Sequence, residues 1–382
     1  MNALQQLEKL GQSVWYDNIS RGVILRGELK KMVDEGLLGV TSNPTIFDKA
    51  ISGSADYDGQ IRELVEANPL IPVEEIIQSL MVRDIQMAAD VLRPVYERTG
   101  GRDGYVSVEV TPRKARDTDA TIEEARSLWT RINRKNLMVK IPATTEGLPA
   151  VEQAIREGIN INVTLIFSCE RYREVAERYV SGLEKRLEEG KPIDHLASVA
   201  SVFVSRVDAL VDKLLEERIA SAGDPADADR LRGYRGKAAV ANARRMYQDF
   251  KRIFFSARFK ALEEKGARPQ RPLWASTGTK NPAYSDLLYV ETLIAPHTVN
   301  TVPPQTYTAI LDHLEPSVAV EEDLEVGDAL LENLSEAGID VGRVMQKLED
   351  DGVAQFATSF DGLYRKLQEK RDEFAGTSVP NS

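Results

Sequence analysis

The amino-acid sequence predicts an α/β fold, a closed (β/α)8 barrel of the TIM type, with an open doubly wound sheet as the alternative. Eight apolar runs of strand length occur between residues 13 and 302, and nearly all are separated by segments with the apolar spacing of amphipathic helices. This alternation is typical of parallel βαβ units. With 382 residues, of which 42% are hydrophobic, the chain is long enough to bury a large core.

The predicted elements alternate regularly along the chain. The strands span residues 13–17, 37–41, 105–110, 137–141, 160–167, 196–206, 272–276 and 298–302. The helices between them span residues 25–36, 56–68, 73–98, 118–134, 146–157, 169–189 and 237–265. Gly36 provides a stop for the first of these helices, and Pro44 and Pro303 end the strands that precede them.

The remaining segments are predicted to be additional helices. Residues 207–271 form a long helical insertion after the sixth strand, interrupted by a Gly/Asp/Pro-rich break at 221–228. We predict that residues 1–315 are the barrel and its catalytic domain. Residues 316–382 are predicted to be a C-terminal helical extension that packs on the barrel as part of the same domain.

Composition and charge exclude several classes of function. The net charge of −11 and the isoelectric point near 5.1 argue against binding to nucleic acid or to an anionic membrane, since both need a basic surface. The sequence contains no apolar run approaching the roughly 18 residues of a membrane span, and its N-terminus lacks a basic-then-apolar signal, so a cytoplasmic location is expected. The single Cys169 and three scattered histidines offer no disulfide and no zinc cluster.

Lys140 is the first candidate for chemistry. It follows Leu137, Met138 and Val139 near the end of the fourth predicted strand, where its surroundings are apolar. Burial there favours the neutral amine, which is the form that attacks a carbonyl carbon and makes a Schiff base. The alternative is a structural lysine whose ammonium reaches water from the strand end.

Polar residues recur at or near seven of the predicted strand ends. In a parallel barrel the βα loops at these ends carry the functional groups. For each residue a structural explanation is also available: Asp17 and Asn43 as helix caps, Glu109 as a surface carboxylate and Arg206 in a surface salt bridge. The full set of candidates is Asp17, Asn43, Glu109, Lys140, Asn162, Thr164, Ser201, Phe203, Arg206, Ser276 and Lys280.

Six ordered segments resemble the signature segments of the transaldolases. They are GVTSNPTIF at 39–47, VSVEV at 106–110, LMVKIPAT at 137–144, GININVTLIF at 158–167, WASTGTKN at 274–281 and TVNTVPP at 298–304. The likeness extends from about residue 10 to residue 370. It implies a (β/α)8 barrel that transfers a dihydroxyacetone unit from a ketose phosphate to an aldose phosphate in the non-oxidative pentose phosphate pathway. It also implies phosphorylated sugars as substrates, a monomer or homodimer, and no metal or cofactor.

The resemblance implies a role for each candidate residue. Lys140 matches the Schiff-base lysine, Asp17 the acid/base residue, and Glu109 with Thr164 the pair that orients a water. Asn43 and Asn162 match residues that hydrogen-bond the donor's hydroxyls, and Ser201 and Phe203 match the segment that lines the pocket. Arg206 and Ser276 match phosphate binders. Many members have an arginine where this chain has Gly278, and Lys280 is predicted to replace it.

Two other functions remain open at this stage. A fructose-6-phosphate aldolase-like lyase would share Lys140 and Asp17, but lyases resembling this family tend to carry glutamine and tyrosine where this chain has Glu109 and Phe203, and they are much shorter. A catalytically silent barrel that serves as a binding or scaffold protein would be expected to lack the lysine or its acid/base partner. The sequence therefore favours the transferase.

Overall fold

Eight parallel strands close into a barrel in the computed structural model, which describes residues 1–377. Each strand pairs with its neighbour in sequence, and β1 pairs with β8. This confirms the predicted (β/α)8 barrel and excludes the open doubly wound sheet. The strands are β1 (Gln12–Tyr16), β2 (Gly39–Val40), β3 (Tyr105–Glu109), β4 (Leu137–Pro142), β5 (Ile161–Ile166), β6 (Ser198–Phe203), β7 (Arg271–Ala275) and β8 (Thr298–Val302).

Helices surround the barrel, and further helices follow β6 and β8. They are α1 (Ala3–Lys9), α2 (Arg21–Leu25), α3 (Glu28–Glu35), α4 (Pro44–Ser52), α5 (Asp58–Ala67), α6 (Val73–Arg98), α7 (Thr118–Ile132), α8 (Gly147–Glu157), α9 (Cys169–Glu188), α10 (Ser205–Ser221), α11 (Pro225–Arg232), α12 (Ala238–Phe254), α13 (Ala257–Glu263), α14 (Leu288–Glu291), α15 (Pro304–His313), α16 (Leu324–Glu336) and α17 (Val341–Thr377). Within residues 1–377, no helix is both long enough and apolar enough to cross a membrane.

Several predicted boundaries are wrong for local reasons. The helix predicted over 25–36 begins only at Glu28, because Gly27, with φ of 76°, adopts a left-handed conformation that separates α3 from the unpredicted α2. The helix predicted over 237–265 is divided into α12 and α13, where the Ser256 side chain caps the second helix by accepting from Phe259 N. In both cases a single residue sets the helix boundary, and the spacing of apolar residues does not indicate it.

Helix α4 was missed, and two predicted strands are too long. Pro44 stands at the first position of α4 behind the cap residue Asn43, so it begins a helix in addition to ending a strand. The second strand, predicted over 37–41, has only two ladder residues. The sixth, predicted over 196–206, ends at Phe203 because Val204 has helical dihedral angles, with φ of −97° and ψ of −72°.

A buried carboxylate with several hydrogen-bond partners lies at the amino-terminal end of the barrel. Asp103 accepts hydrogen bonds from Ser13 Oγ at 2.9 Å, Trp15 Nε1 at 3.1 Å and Arg271 Nη2 at 2.9 Å. Burial alone would raise the pKa of Asp103, but Arg271 and these hydrogen bonds outweigh burial and lower it. This end of the barrel is therefore a filled, structural core.

Helix α17 crosses the opposite, carboxyl-terminal end of the barrel. It packs on α4, α5, α6, α10 and the end of β5. At its edges it is held by ion pairs, among them Arg113 with Asp361 at 2.7 Å and Arg116 with Asp350 at 2.6 Å. The division into a barrel of residues 1–315 and an extension of the same domain stays a prediction, and residues 378–382 of that extension lie outside the described part of the chain.

Candidate active site

A cavity of about 630 Å³ opens at the carboxyl-terminal end of the barrel. Strand ends and the loops after them form most of its wall, together with α4 and α17. The predicted site residues that line it are Asp17, Asn43, Lys140, Thr164, Ser201, Phe203, Arg206, Ser276 and Lys280. Glu109 and Asn162 are buried directly behind this wall.

Lys140 lies on β4 at the inner wall of the cavity, and only 5% of its surface is exposed. Its Nζ donates a hydrogen bond to the backbone oxygen of Ser42 at 3.0 Å and lies 3.5 Å from Glu109 Oε2. The parallel register explains this pairing, because Lys140 stands beside Glu109 of β3 and beside Asn162 of β5. The amine therefore reaches the cavity instead of the outer surface.

The Glu109 carboxylate and the Thr164 hydroxyl are buried without hydrogen-bond partners in the described part of the chain, apart from the ion pair of Glu109 with Lys140. Burial raises the pKa of Glu109, and the neighbouring Lys140 amine opposes that shift. Buried polar atoms without a partner are costly, and they usually satisfy a bound water or a ligand. Both unpartnered groups stand beside the cavity that Lys140 lines, so a molecule bound there could satisfy them.

Asp17 directly follows β1 and is partly buried at the rim of the cavity. Its Oδ1 accepts a hydrogen bond from Thr41 Oγ1 at 2.7 Å, and the Thr41 hydroxyl also lies 2.5 Å from that of Thr301. Burial raises the pKa of Asp17, while Lys140 and the Thr41 hydrogen bond act in the opposite direction. The helix-cap alternative for Asp17 is wrong, because Ser20 caps α2.

Asn43 is both a helix cap and a residue of the cavity wall. Its side chain caps α4 by accepting from Ile46 N at 3.0 Å, and the same residue lines the cavity. Asn162 lies deeper: its Nδ2 donates to Ser107 Oγ at 3.1 Å, and its Oδ1 accepts from Ser201 Oγ at 2.6 Å. Through this chain of hydrogen bonds, Asn162 fixes the Ser201 hydroxyl in the cavity wall.

Arg206 brings an unpaired positive charge to the cavity. It lies in the first turn of α10, with its guanidinium 5.2 Å from the centre of the Phe203 ring and 6.0 Å from that of Phe356. Across residues 1–377 it makes neither a hydrogen bond nor an ion pair, so the surface-salt-bridge alternative is wrong. Partial burial lowers its pKa. An aromatic-supported guanidinium with free donors is suited to a phosphate group.

Ser276 and Lys280 lie on the loop after β7, on the same wall as Arg206. Ser276 has a φ of 55°, in the left-handed region that disfavours side chains, and its Oγ lies 3.0 Å from Ser205 Oγ. Burial lowers the pKa of Lys280, and the positive charge of Arg206 lowers it further. Ser276 and these two cations thus converge on one part of the cavity.

Several residues of the cavity wall were not predicted from the sequence. Thr41 stands directly after β2 inside a segment already recognised as a motif, so its position could have indicated it. Gln355 and Phe356 come from α17. The apolar spacing of that segment predicts a helix but does not indicate that the helix reaches the cavity. Lys49 comes from α4, which was not predicted. Within residues 1–377 no cluster of histidine, cysteine, aspartate or glutamate side chains is arranged to hold a metal ion.

The fold and the site together define a (β/α)8 barrel with an enclosed lysine, flanked by two carboxylates, at its carboxyl-terminal face. The sequence profile of the transaldolase/fructose-6-phosphate aldolase family matches residues 14–367. The chain belongs to this family.

Curated relatives agree with the family assignment. The chain is 49% identical to a transaldolase of Trichodesmium erythraeum over 372 residues, which cover 97% of each protein. It is 48% identical to transaldolase 2 of Nostoc punctiforme, again over 97% of each. It is 47% identical to a transaldolase of Saccharopolyspora erythraea, over 97% of this chain and 98% of that protein. The predicted enzyme class, a transferase of the transaldolase type, is confirmed.

Proposed function

We propose that the protein transfers a dihydroxyacetone unit through a Schiff base on Lys140. The donor is a ketose phosphate, sedoheptulose 7-phosphate or fructose 6-phosphate, and the acceptor is glyceraldehyde 3-phosphate or erythrose 4-phosphate. The observation that carries this proposal is a lysine amine in the cavity wall, 5% exposed, with Glu109 3.5 Å away. The family resemblance further supports a role in the pentose phosphate pathway and a cytoplasmic location.

The chemistry begins at the Lys140 amine. It adds to the ketone carbon of the donor, and loss of water leaves a protonated imine. Asp17 then takes the proton from the hydroxyl on the carbon that becomes the aldehyde, and the adjacent carbon–carbon bond breaks. Its electron pair moves into the imine and forms an enamine. Addition of the acceptor aldehyde reverses these steps, and hydrolysis of the imine releases the product and the free amine.

Glu109 and Thr164 hold the water that these proton transfers require. Both are buried behind or within the cavity wall with no hydrogen-bond partner in the described chain apart from the Lys140 ion pair, so a water between them would satisfy both. The raised pKa of Glu109 suits a carboxyl group that both gives and takes a proton. Asn43 and Ser201, the latter positioned by Asn162, bind the donor's hydroxyls.

The phosphate group binds where the positive charges converge. Arg206 supplies a planar guanidinium, Ser276 a hydroxyl and Lys280 a point charge. The Phe203 ring makes a cation–π contact with the Arg206 guanidinium. In a chain with a net charge of −11, a local group of cations is what an anionic substrate requires.

One assay separates this transferase from an aldolase-like lyase. The protein is mixed with fructose 6-phosphate, with and without erythrose 4-phosphate, and released glyceraldehyde 3-phosphate is followed over time. We expect sustained release only when the acceptor is present, because the enamine is held on Lys140 until an aldehyde arrives. Equal turnover without an acceptor, with release of free dihydroxyacetone, would establish the lyase instead.

Thr41→Val should change the pH dependence of the reaction. The Thr41 hydrogen bond lowers the pKa of Asp17, so its loss raises that pKa further. Asp17 acts as a base when deprotonated, and activity falls as the pH drops through its pKa. We therefore expect the acid limb of the kcat/KM profile to move to higher pH in the variant. Thr45→Val, which removes a cavity hydroxyl that does not contact Asp17, should leave the limb in place; a common shift would refute the assignment.

A further inference from the structure

A third cation lines the same cavity as Arg206 and Lys280. Lys49 lies on α4, on the helix face that also presents Thr45 and Ile46 to the cavity, while Phe47 points into the core. Residues three and four apart share one face of a helix, so Lys49 necessarily lies beside Ile46 and Thr45. Over residues 1–377 the Lys49 ammonium has neither a hydrogen bond nor an ion pair.

The adjacent carboxylate does not neutralise Lys49. Asp48 Oδ1 accepts from Ser52 Oγ at 3.0 Å and pairs with Lys366 of α17 at 2.9 Å. Asp48 therefore points towards α17 while Lys49 points towards the cavity. Asp48 and Lys49 of α4 therefore face different parts of the protein.

Lys49 and the other two cations influence one another. The pKa of Lys280 is lowered first by burial, then by Arg206, and also by the positive charge of Lys49. Like charges that share a pocket repel one another, and a bound anion relieves that repulsion. A phosphate dianion would satisfy all three groups.

Steric contacts at Gly278 explain why positive charge would come from another element. A Cβ atom at position 278 would lie 3.0 Å from Pro303 Cγ and 3.5 Å from Gln305 Nε2, which leaves little room for an arginine side chain. Position 278 therefore contributes no cation of its own. Lys280 on the same loop and Lys49 on α4 bring positive charge to the cavity instead.

We propose that Lys49 is a third phosphate-binding residue and favours the dianionic phosphate of sugar phosphates over uncharged sugars. The inference rests on the proposed function, since it assigns a further residue to the same substrate. A competing explanation is that Lys49, in the last turn of α4, only stabilises the carboxyl-terminal end of that helix. In that role, removal of Lys49 would lower the stability of the protein but would not change the affinity for one ligand relative to another.

Binding of inorganic phosphate provides the direct test. Isothermal titration of the full chain with inorganic phosphate should give a dissociation constant about fivefold to twentyfold higher for Lys49→Ala than for the unmodified protein. Lys49→Arg should restore most of the affinity. Lys366→Ala is the matched control, because it removes one positive charge beside the same helix but outside the cavity wall. Equal affinities of Lys49→Ala and Lys366→Ala would overturn the proposal.

Kinetics give a second readout. In Lys49→Ala we expect the KM for fructose 6-phosphate to rise by a similar factor, while the KM for unphosphorylated fructose stays unchanged. An equal rise for both sugars would refute a phosphate-specific role. If the unmodified protein does not turn over fructose 6-phosphate, the proposed function fails, whereas the titration with inorganic phosphate still decides the role of Lys49.

Discussion

Lys140→Ala should lose turnover by a factor on the order of 10⁴ and should no longer be trapped by borohydride in the presence of fructose 6-phosphate. Borohydride reduces an imine to a stable secondary amine, so intact-mass spectrometry of the treated protein reports the covalent adduct. The structure gives the physical reason. Lys140 is a cavity-lining lysine with its amine 3.5 Å from Glu109 Oε2.

The controls for Lys140 separate chemistry from folding. Lys135→Ala removes an exposed lysine just before β4, at the opposite end of the strand, and should keep both trapping and turnover. Removing Lys140 leaves Glu109 buried without its ion-pair partner, so circular dichroism and thermal unfolding should accompany the assay. Lys140→Met, which keeps most of the side-chain volume, provides a second variant. An adduct of normal mass in either Lys140 variant would place the Schiff base on another residue.

Asp17→Asn should form the imine but stop before the carbon–carbon bond breaks, with a loss of turnover of about 10² to 10⁴-fold. An amide cannot take the proton from the substrate hydroxyl, although it still accepts a hydrogen bond from Thr41. Borohydride should then trap the intact six-carbon sugar phosphate on the variant. On the unmodified protein it should also trap the three-carbon unit that remains after cleavage.

The mass of the trapped adduct therefore tests the role of Asp17. Asp48→Asn is the matched control, because it removes a carboxylate from the neighbouring α4 that does not line the cavity. It should give the same adduct as the unmodified protein. A three-carbon adduct formed at a normal rate on Asp17→Asn would show that another group takes the proton.

The barrel was predictable because its signal is local and repeated. Each strand is a short apolar run, each helix has its own apolar spacing, and parallel connections bring all the strand ends to one face. Asp17, Glu109 and Lys140 were therefore found from their places at strand ends, and the proximity of Glu109 to Lys140 follows from the register of β3 and β4. A resemblance to a known family added their roles.

The parts that could not be predicted depend on contacts between distant segments. Phe356 faces Arg206 only because α17 returns across the barrel, and its own neighbours in sequence carry no sign of that contact. That Asn162 binds the donor's hydroxyls stays a prediction. Its hydrogen bonds to Ser107 and Ser201 could not be predicted, because they join it to two other strands. Leu165, with a φ of 60° at the irregular end of β5, likewise packs against a distant segment: a Cβ at Gly352 of α17 would lie 2.8 Å from its Cδ2.

The path of α17 has a consequence for how the site forms during synthesis. All eight strands have left the ribosome once Val302 has emerged, so the sheet can close on the nascent chain before α17 exists. At that moment Arg206 has one aromatic neighbour, Phe203, and the wall that carries Gln355 and Phe356 is absent. The part of the cavity wall that carries Gln355 and Phe356 is thus the last part to be synthesised.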